Sequence, residues 1–412
     1  MAPGETRRVA RHPARNYLFQ VRPSPFRTCP HPTERTMVPS FPLSRLWRAP
    51  SGCLAVVVLL ALAGCGDLPQ AHGDANAVIV GTGEPLWEEV GEAVETTLQP
   101  TIQTITDERR FRVTWQDPSD GQLWGNLRRF RQILLIGTAT DPWMERAVDR
   151  RTGDEALSPP QLLRARNVWA RGQTAWILLL SEDGGAEEVE PLLEELSRRM
   201  DEDFRRYARN RMFVSGVDTV LADSLAQNVG FGLILPQVYR YSTQADVFRF
   251  RNDNPTPSEL IREVGVTWTS PIPDELPGGN DMMEWRLAFA DANYPQPQIV
   301  DTTATMTHRV REFDGIEIVE FQSAWRAPPG EWPAGGPFIT RAIPCPDQDR
   351  LYWLDAWLYA PNRDKYEYMI QLETILDTFR CGETPTVPEE ALEVDPAELG
   401  DPDDFDDEPE TD

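Results

Sequence analysis

Between residues 76 and 213, short apolar runs alternate with segments in which apolar residues recur every three or four positions. The predicted strands and helices of this region cover residues 77–80, 87–98, 111–115, 122–130, 132–136, 160–170, 175–180 and 187–209. The shortest apolar runs are typical of buried strands, whereas the periodic segments are typical of amphipathic helices. Because strands that alternate with helices favour layered folds, residues 76–213 are predicted to form an α/β layer domain.

Residues 214–381 contain more strand-like runs and fewer helical ones. The predicted strands cover residues 231–239, 246–251, 264–269, 316–325, 338–343 and 351–359, and the predicted helices cover 281–290, 304–313 and 366–379. This pattern favours an antiparallel sheet with helices on one face, so the whole chain is predicted to be a mixed α+β protein. The opening Phe-x-Leu-x-Leu-Pro strand and the closing amphipathic helix resemble the PsbP/Mog1 fold.

An apolar run at residues 53–65 follows Arg45 and Arg48 and is too short to span a bilayer, as is typical of a signal-peptide core. Its last four residues, Leu-Ala-Gly-Cys, resemble the bacterial lipobox, in which the cysteine is acylated and the chain is cut just before it. We therefore expect lipid on Cys65. The alternatives are a buried core strand and an ordinary secretory signal with an incidental cysteine.

The segments around this run have distinct predicted roles. Residues 1–36 are rich in Arg and Pro and lack hydrophobic periodicity, so they are interpreted as a mis-called or disordered leader, with the signal peptide at 37–64. Residues 65–75 are interpreted as the lipidated cysteine and a flexible tether. Gly66 follows the cysteine where an Asp would resemble an inner-membrane retention signal, so a lipid-anchored position on the outer membrane of the cell envelope is favoured.

The charge of the chain disfavours two classes of interaction. From Cys65 onward there are 31 basic and 64 acidic residues, a net charge of −33. Such a chain repels phosphate backbones and anionic headgroups, so nucleic-acid binding and polybasic membrane docking are both disfavoured. Residues 382–412 hold fourteen Asp or Glu and no basic residue, and are predicted to be a disordered acidic tail.

Two cysteines, Cys345 and Cys381, remain beyond the signal and the lipidation site. An exported chain with two spare cysteines indicates one disulfide, and the alternative is a pair of free thiols. Their spacing fits neither a redox site nor a zinc site, so no metal and no cofactor are predicted.

Candidate catalytic groups are scarce. His308, on the predicted helix 304–313, is the single histidine in a predicted folded region, and no Gly-x-Ser-x-Gly motif accompanies it. Gly81-Thr82-Gly83 lacks the third glycine of a dinucleotide-binding turn. Paired carboxylates such as Glu88 and Glu89 are typical of solvated helix faces, so no catalytic residue is assigned.

A Pro- and Gly-rich segment, 325–338, is the candidate recognition loop, with Trp325, Arg326, Trp332, Gly335 and Gly336 as its candidate contact residues. Pro and Gly at this density exclude regular structure, and binding residues often lie on loops. The alternative is that Trp332 folds back and caps the sheet.

A further candidate residue is Asp355, which lies among aromatic residues of a predicted strand. A carboxylate there needs a partner, and Arg326 or Arg341 is predicted to supply it. A structural role is favoured over a functional one.

Several of these residues also resemble a family of bacterial lipoproteins known as domain-of-unknown-function family 4837. The similar residues are Trp325, 335–338, 355–361 and 371–373, and upstream Trp87, 131–133, Trp169, Ala170 and Gln173. The likeness spans about 76–380 and departs from the family at 322–324, where Gln-Ser-Ala replaces Arg-Gly-Leu. The resemblance implies an envelope lipoprotein and no assigned activity.

We therefore predict a non-catalytic envelope lipoprotein that binds a partner or scaffolds an assembly. The expected partners are the membrane, through the lipid, and an envelope protein or glycan. A cell-envelope hydrolase or another secreted enzyme that uses carboxylates is the alternative.

Overall fold

A computed structural model describes residues 68–104, 107–154, 156–254 and 259–392. The predictions for the leader at 1–36, the signal peptide at 37–64 and the lipid on Cys65 lie outside these residues, as does the acidic tail beyond Leu392. The lipid anchor therefore stays a prediction.

The first region forms an open sheet with the strand order β4-β1-β5-β7-β6. Its elements are β1 (Ala77–Gly81), α1 (Glu84–Leu98), β2 (Thr101–Gln103), β3 (Asp107–Arg109), β4 (Arg112–Gln116), α2 (Gly121–Leu127), β5 (Gln132–Thr138), α3 (Glu145–Asp149), β6 (Gln161–Arg166), β7 (Thr174–Leu180) and α4 (Ala186–Met212). Strand β1 pairs in parallel with β4 and β5, and β5 with β7, whereas β6 pairs antiparallel to β7. Strands β2 and β3 pair separately.

The run of apolar residues in β5 is explained by its central position. Leu134 and Ile136 pack against α1 and α4 on one face of the sheet, and Ile133 and Leu135 pack against α2 and α3 on the other. A strand buried on both faces has no polar alternation. The three layers confirm the predicted α/β architecture of this region.

The second region forms a larger antiparallel sheet with the order β12-β14-β15-β16-β11-β10-β9, and β13 also pairs with β14. Its elements are α5 (Thr219–Asn228), β8 (Phe231–Gly232), β9 (Arg240–Gln244), β10 (Val247–Asn252), β11 (Ile261–Thr269), α6 (Gly279–Asn293), β12 (Ile299–Val300), β13 (Thr307–Phe313), β14 (Ile316–Arg326), β15 (Gly335–Cys345), β16 (Arg350–Tyr359), α7 (Tyr366–Asp377), β17 (Arg380–Cys381) and α8 (Glu389–Leu392). Strands β8 and β17 pair with each other. These elements confirm the mixed α+β class.

Helices cover both faces of this sheet, so the prediction of helices on one face is wrong. In β16, Leu354 and Leu358 pack with α5 and α7, whereas Trp353 and Trp357 pack with α6 on the other face. Successive residues of a strand point to opposite faces, and here both sets are apolar and buried. The sequence of β16 therefore requires cover on both sides.

Two predicted helices are strands in the structure. Residues 161–166 form β6, in which Leu163 and Ala165 are buried at a spacing of two. Residues 307–313 form β13, which pairs with β14 and leaves His308 exposed. Neither segment has the apolar stripe that stabilises a helix by tertiary packing.

The two regions pack together within one compact unit. The ring of Phe204 on α4 stacks on Tyr366 of α7 with centroids 5.6 Å apart, and the Tyr366 hydroxyl donates to Asp201 Oδ1 at 2.6 Å. Ile370 of α7 also belongs to the core of the first region. Helix α7 thus contacts both sheets, and a domain boundary at 213–214 stays a prediction.

The described chain extends past residue 382, where the acidic tail was predicted to begin. Val387 and Ala391 pack against the core of the larger sheet, and Pro385 lies beside Gly232. Residues 382–392 therefore do not belong to a disordered tail. Among the described residues, no helix combines the length and the apolar composition that a membrane span requires.

Candidate binding site

The candidate recognition loop is a short connection between two neighbouring strands, β14 and β15. The backbone N–H of Ala327 donates to the carbonyl of Ala334 at 2.8 Å and closes the base of the loop. Glu331 N–H donates to the Pro328 carbonyl at 3.2 Å, and Gly330 between them has φ +95°. Proline followed by a residue with positive φ is the pattern of a type II turn. The predicted loop therefore exists, but it covers residues 327–334 and is braced at its base and within its turn.

Trp332 lies in this loop with 80% of its surface exposed. The alternative in which Trp332 folds back and caps the sheet is therefore wrong. Most other large aromatic residues pack into the cores, and Tyr241 on strand β9 is exposed to 43%. Trp332 is thus presented to solvent by a braced turn.

Trp325 was predicted to be presented with Trp332, but it is buried in β14. Its indole Nε1 donates to the carbonyl of Leu358 at 3.0 Å, and its ring meets Trp357 edge to face. Gly336 pairs with Trp325 across the strands, and a Cβ atom there would lie 1.8 Å from the Leu358 oxygen. Only glycine leaves room for this approach. Trp325 and Gly336 therefore have structural roles.

The remaining loop candidates lie at its base. Gly335 begins β15 and pairs with Arg326, the last residue of β14. The Arg326 side chain is about half exposed, and its Nε lies 3.8 Å from Asp301 Oδ1. Hydrogen bonds from Thr303 hold the pKa of Asp301 below its ordinary value. Of the predicted contact residues, Trp332 and Arg326 are thus available at the surface.

Asp355 is fully buried beneath α6, and its partner differs from the prediction. Its carboxylate lies 2.8 Å from Arg286 Nε and accepts hydrogen bonds from Thr340 Oγ1 at 2.7 Å and from the Tyr294 hydroxyl at 2.8 Å. Burial raises the pKa of Asp355, although Arg286 opposes that rise. A carboxylate enclosed in this way is a structural element and not a surface acid.

Neither of the two predicted partners of Asp355 contacts it, because of where each lies in the sheet. Arg341 pairs in register with Leu354, so it points to the opposite face of the sheet, where it contacts Glu320. Arg326 lies at the far end of β14, beside Asp301. The true partner, Arg286, comes from helix α6, which covers the face on which Asp355 lies.

The predicted disulfide is confirmed. Cys345 at the end of β15 is bonded to Cys381 in β17, with Cα atoms 5.7 Å apart. The bond closes a loop of 36 residues, for which chain-entropy models give a stabilisation of roughly 3 to 4 kcal/mol. It ties the strand that follows the recognition loop to β17, which comes directly after helix α7.

Other candidate groups do not assemble into a site. Among the described residues, no three His, Cys, Asp or Glu side chains are placed to hold a metal ion. Gly81 packs against the Trp124 ring, and Gly83 has no positive φ, so neither shows the conformation of a phosphate-binding turn. Glu88 and Glu89 lie exposed on α1.

A cavity of about 400 Å³ lies between β3 and the loop that precedes α7. Beside it is Lys365, the single lysine of the chain, whose Nζ donates to Glu108 Oε1 and to the Arg363 carbonyl, both at 3.0 Å. The Lys365 backbone N–H also donates to Glu108 at 2.6 Å. Lys365 therefore joins the two regions.

Residues 219–378 match the family model of Domain of unknown function (DUF4837). This confirms the resemblance for the second region. Residues 71–214 match a different model, Domain of unknown function (DUF8532), so the first resemblance does not extend to residue 76 as predicted. No curated protein matches the chain. A similar solved structure is the Ran-binding protein Mog1p of Saccharomyces cerevisiae, with 8% identity and a TM-score of 0.26, over 38% of this chain and 94% of Mog1p.

Proposed function

We propose that this protein is a non-catalytic lipoprotein of the bacterial cell envelope, anchored through Cys65, which binds a protein partner through Trp332. The observation that carries the proposal is the 80% exposure of Trp332 on a turn that is braced by two backbone hydrogen bonds. A large aromatic side chain that a rigid turn presents to solvent contributes favourable free energy when a partner covers its apolar surface. The lipobox-like residues 62–65 support the anchor.

The shape of the loop favours a protein over a glycan or a small molecule. Sites for small ligands are concave, whereas Trp332 projects into solvent from a hairpin connection. A projecting tryptophan is suited to fill a pocket on another protein, and tryptophan is among the residues that most often dominate the binding energy of an interface.

The brace also lowers the cost of binding. Pro329 fixes one backbone dihedral angle of the turn, and the hydrogen bond between Ala327 and Ala334 fixes its base. Less conformational entropy is then lost when the loop is immobilised by a partner. Arg326 and Asp301 add charged groups at the rim, where they contribute to specificity more than to affinity.

The test is crosslinking and capture from detergent-solubilised envelopes with wild-type protein and Trp332→Ala. Tyr241→Ala is the matched control, because Tyr241 is an exposed aromatic residue on a different edge of the same sheet. We expect Trp332→Ala to weaken partner binding by roughly 1 to 3 kcal/mol with an unchanged melting temperature, and Tyr241→Ala to bind normally. Equal capture by wild-type protein and Trp332→Ala, or capture of glycan alone, would contradict the proposal.

A further inference from the structure

The described chain begins beside the amino ends of the central strands β5 and β7, held between two segments that carry arginines. Arg171 N–H donates to the Pro69 carbonyl at 2.7 Å, and Ala71 N–H donates to the Arg171 carbonyl at 2.9 Å. On the other side, His72 N–H donates to the Arg129 carbonyl at 3.3 Å. Residues 69–72 are therefore fixed between Arg129 and Arg171.

These residues are close in sequence to the predicted lipid on Cys65. Cys65 precedes Leu68 by three residues, and three residues span at most about 10 Å in any conformation. A lipid on Cys65 would thus be joined by a short linker to the described chain, next to the two arginine-bearing segments.

Four arginines form what we call the arginine face: Arg128, Arg129, Arg146 and Arg171. Arg129, Arg146 and Arg171 are exposed, and Arg128 is partly buried with its guanidinium 6.0 Å from the ring of Trp169. Burial lowers the pKa of Arg128, and the positive charges of Arg129 and Arg146 lower it further. Arg128 and Arg129 are adjacent in sequence, and Arg146 is near enough to affect the pKa of Arg128.

The arginine face lacks the carboxylate partners that arginines have elsewhere. Within the described part of the chain, none of its four members forms a salt bridge, and Nε of Arg128 is buried without a hydrogen-bond partner. Glu145 and Asp149 lie on the same short helix as Arg146, but they are exposed and contact none of the four.

The contrast with the rest of the chain is informative. Acidic residues outnumber basic ones about twofold after residue 64, and arginines in other places, such as Arg164 and Arg206, both contact one carboxylate, Asp203. Clustered cations without carboxylates repel one another unless an external anion neutralises them. Guanidinium groups bind phosphate oxygens with paired hydrogen bonds, so a phosphate-bearing surface is the matching partner.

We propose that the arginine face docks on the anionic phospholipid headgroups of the membrane that holds the lipid on Cys65, and thereby orients the protein on that membrane. This proposal rests on the lipid anchor of the proposed function. It refines the expectation from composition that anionic headgroups repel the chain. At physiological ionic strength the Debye length is about 8 Å, so carboxylates farther than that from the membrane are screened, and the residues beside the anchor decide the interaction.

The first arm of the test measures protection. The full lipidated protein is reconstituted in vesicles of phosphatidylcholine, with or without phosphatidylglycerol, and arginine modification by phenylglyoxal is followed by mass spectrometry. We expect Arg129, Arg146 and Arg171 to react severalfold more slowly in the anionic vesicles, and this protection to disappear at high salt. Arg198 and Arg199, exposed on α4, should react equally in both. Equal rates at the arginine face would overturn the proposal.

The second arm uses full-length Cys65→Ser protein and measures the ratio of its partition onto anionic and neutral vesicles. Insertion of apolar side chains into the bilayer contributes equally to binding on the anionic and on the neutral vesicles. The ratio of the two partition values therefore measures the contribution of charge. Adding Arg129→Gln, Arg146→Gln and Arg171→Gln should lower this ratio about fivefold per arginine at low salt. Arg198→Gln with Arg199→Gln, which removes charge from a different surface, should leave it unchanged.

The two experiments distinguish a failure of the arginine-face proposal from a failure of the proposed lipid anchor. If wild-type protein is acylated on Cys65 and the partition ratio is one, the arginine face has no membrane role and the anchor stands. If Cys65 carries no acyl chain, the proposed anchor and the orientation that depends on it both fail, whatever the ratio. If inorganic phosphate alone protects the arginines in detergent as well as vesicles do, the face is a site for a soluble anion and the proposal is overturned.

Discussion

Asp355 and Glu320 are buried carboxylates on opposite faces of the same sheet, in strands close to the recognition loop, and they are neutralised in different ways. Asp355 has one arginine, Arg286, and two hydroxyl donors. Glu320 contacts three arginines, of which Arg341 is as fully buried as the carboxylate itself.

As a consequence, the pKa values of the two carboxylates are displaced in opposite directions. Burial raises the pKa of both groups, but Arg341 and Arg309, with Arg311, outweigh it and hold the pKa of Glu320 below its ordinary value. At Asp355 burial outweighs Arg286, and the pKa is raised. The three arginines around Glu320, compared with the single one at Asp355, account for this difference in direction.

The largest expected effect comes from removing the single cation of Asp355. Arg286→Leu leaves a buried carboxylate with hydroxyl partners only, and we expect it to lower the free energy of unfolding by about 3 to 5 kcal/mol. Urea unfolding of the purified protein measures this. In the double variant Arg286→Leu with Asp355→Asn, part of the loss should return, because no charge remains to be buried. A double variant as unstable as Arg286→Leu would show that the cost is packing alone.

A smaller effect is expected at Glu320. Glu320→Gln removes the charge, but Arg341 keeps Asp377 at 2.8 Å, and Arg309 and Arg311 reach solvent. We expect a loss of about 1 to 3 kcal/mol, measured in the same way. Arg309→Gln, at the exposed end of the cluster, is the matched control and should cost less than about 1 kcal/mol. If Glu320→Gln were less stable than Arg286→Leu, the expectation that the carboxylate with a single cation is the more sensitive of the two would be wrong.

Local features of this site could be predicted from the sequence. Proline and glycine at 328–330 indicate a turn whatever surrounds it, and the count of two exported cysteines indicates the Cys345–Cys381 bond. Both inferences depend on residues that are close in the chain or on the covalent chemistry of a pair.

Contacts that depend on strand register and on where a helix packs could not be predicted from the sequence. Arg341 and Thr340 are adjacent in sequence, but only Thr340 pairs with Asp355 across the strands. Neighbouring residues of a strand point to opposite faces, so a shift of one residue in the register would have placed Arg341 beside Asp355. Arg286 comes from a helix 69 residues away. The arginine face is assembled from three separate segments, and although Arg128, Arg129 and Arg131 are close in sequence, nothing in the sequence places Arg146 and Arg171 beside them.

The smallest expected effect concerns pH, where the two carboxylates should act with opposite signs. Glu320 has a folded-state pKa below its ordinary value of 4.5, so its contribution to stability is present above that pH and is lost as the pH falls through the lower, folded-state value. Asp355 has a folded-state pKa above its ordinary value of 3.8, so its contribution is present below that pH and is lost as the pH rises through the folded-state value. The stability of wild-type protein relative to Glu320→Gln should therefore shrink on acidification, whereas its stability relative to Asp355→Asn should grow. Urea unfolding of the three proteins from neutral pH down to about pH 3 measures both differences. If both stability differences changed in the same direction on acidification, the pKa values of Glu320 and Asp355 would not be displaced in opposite directions.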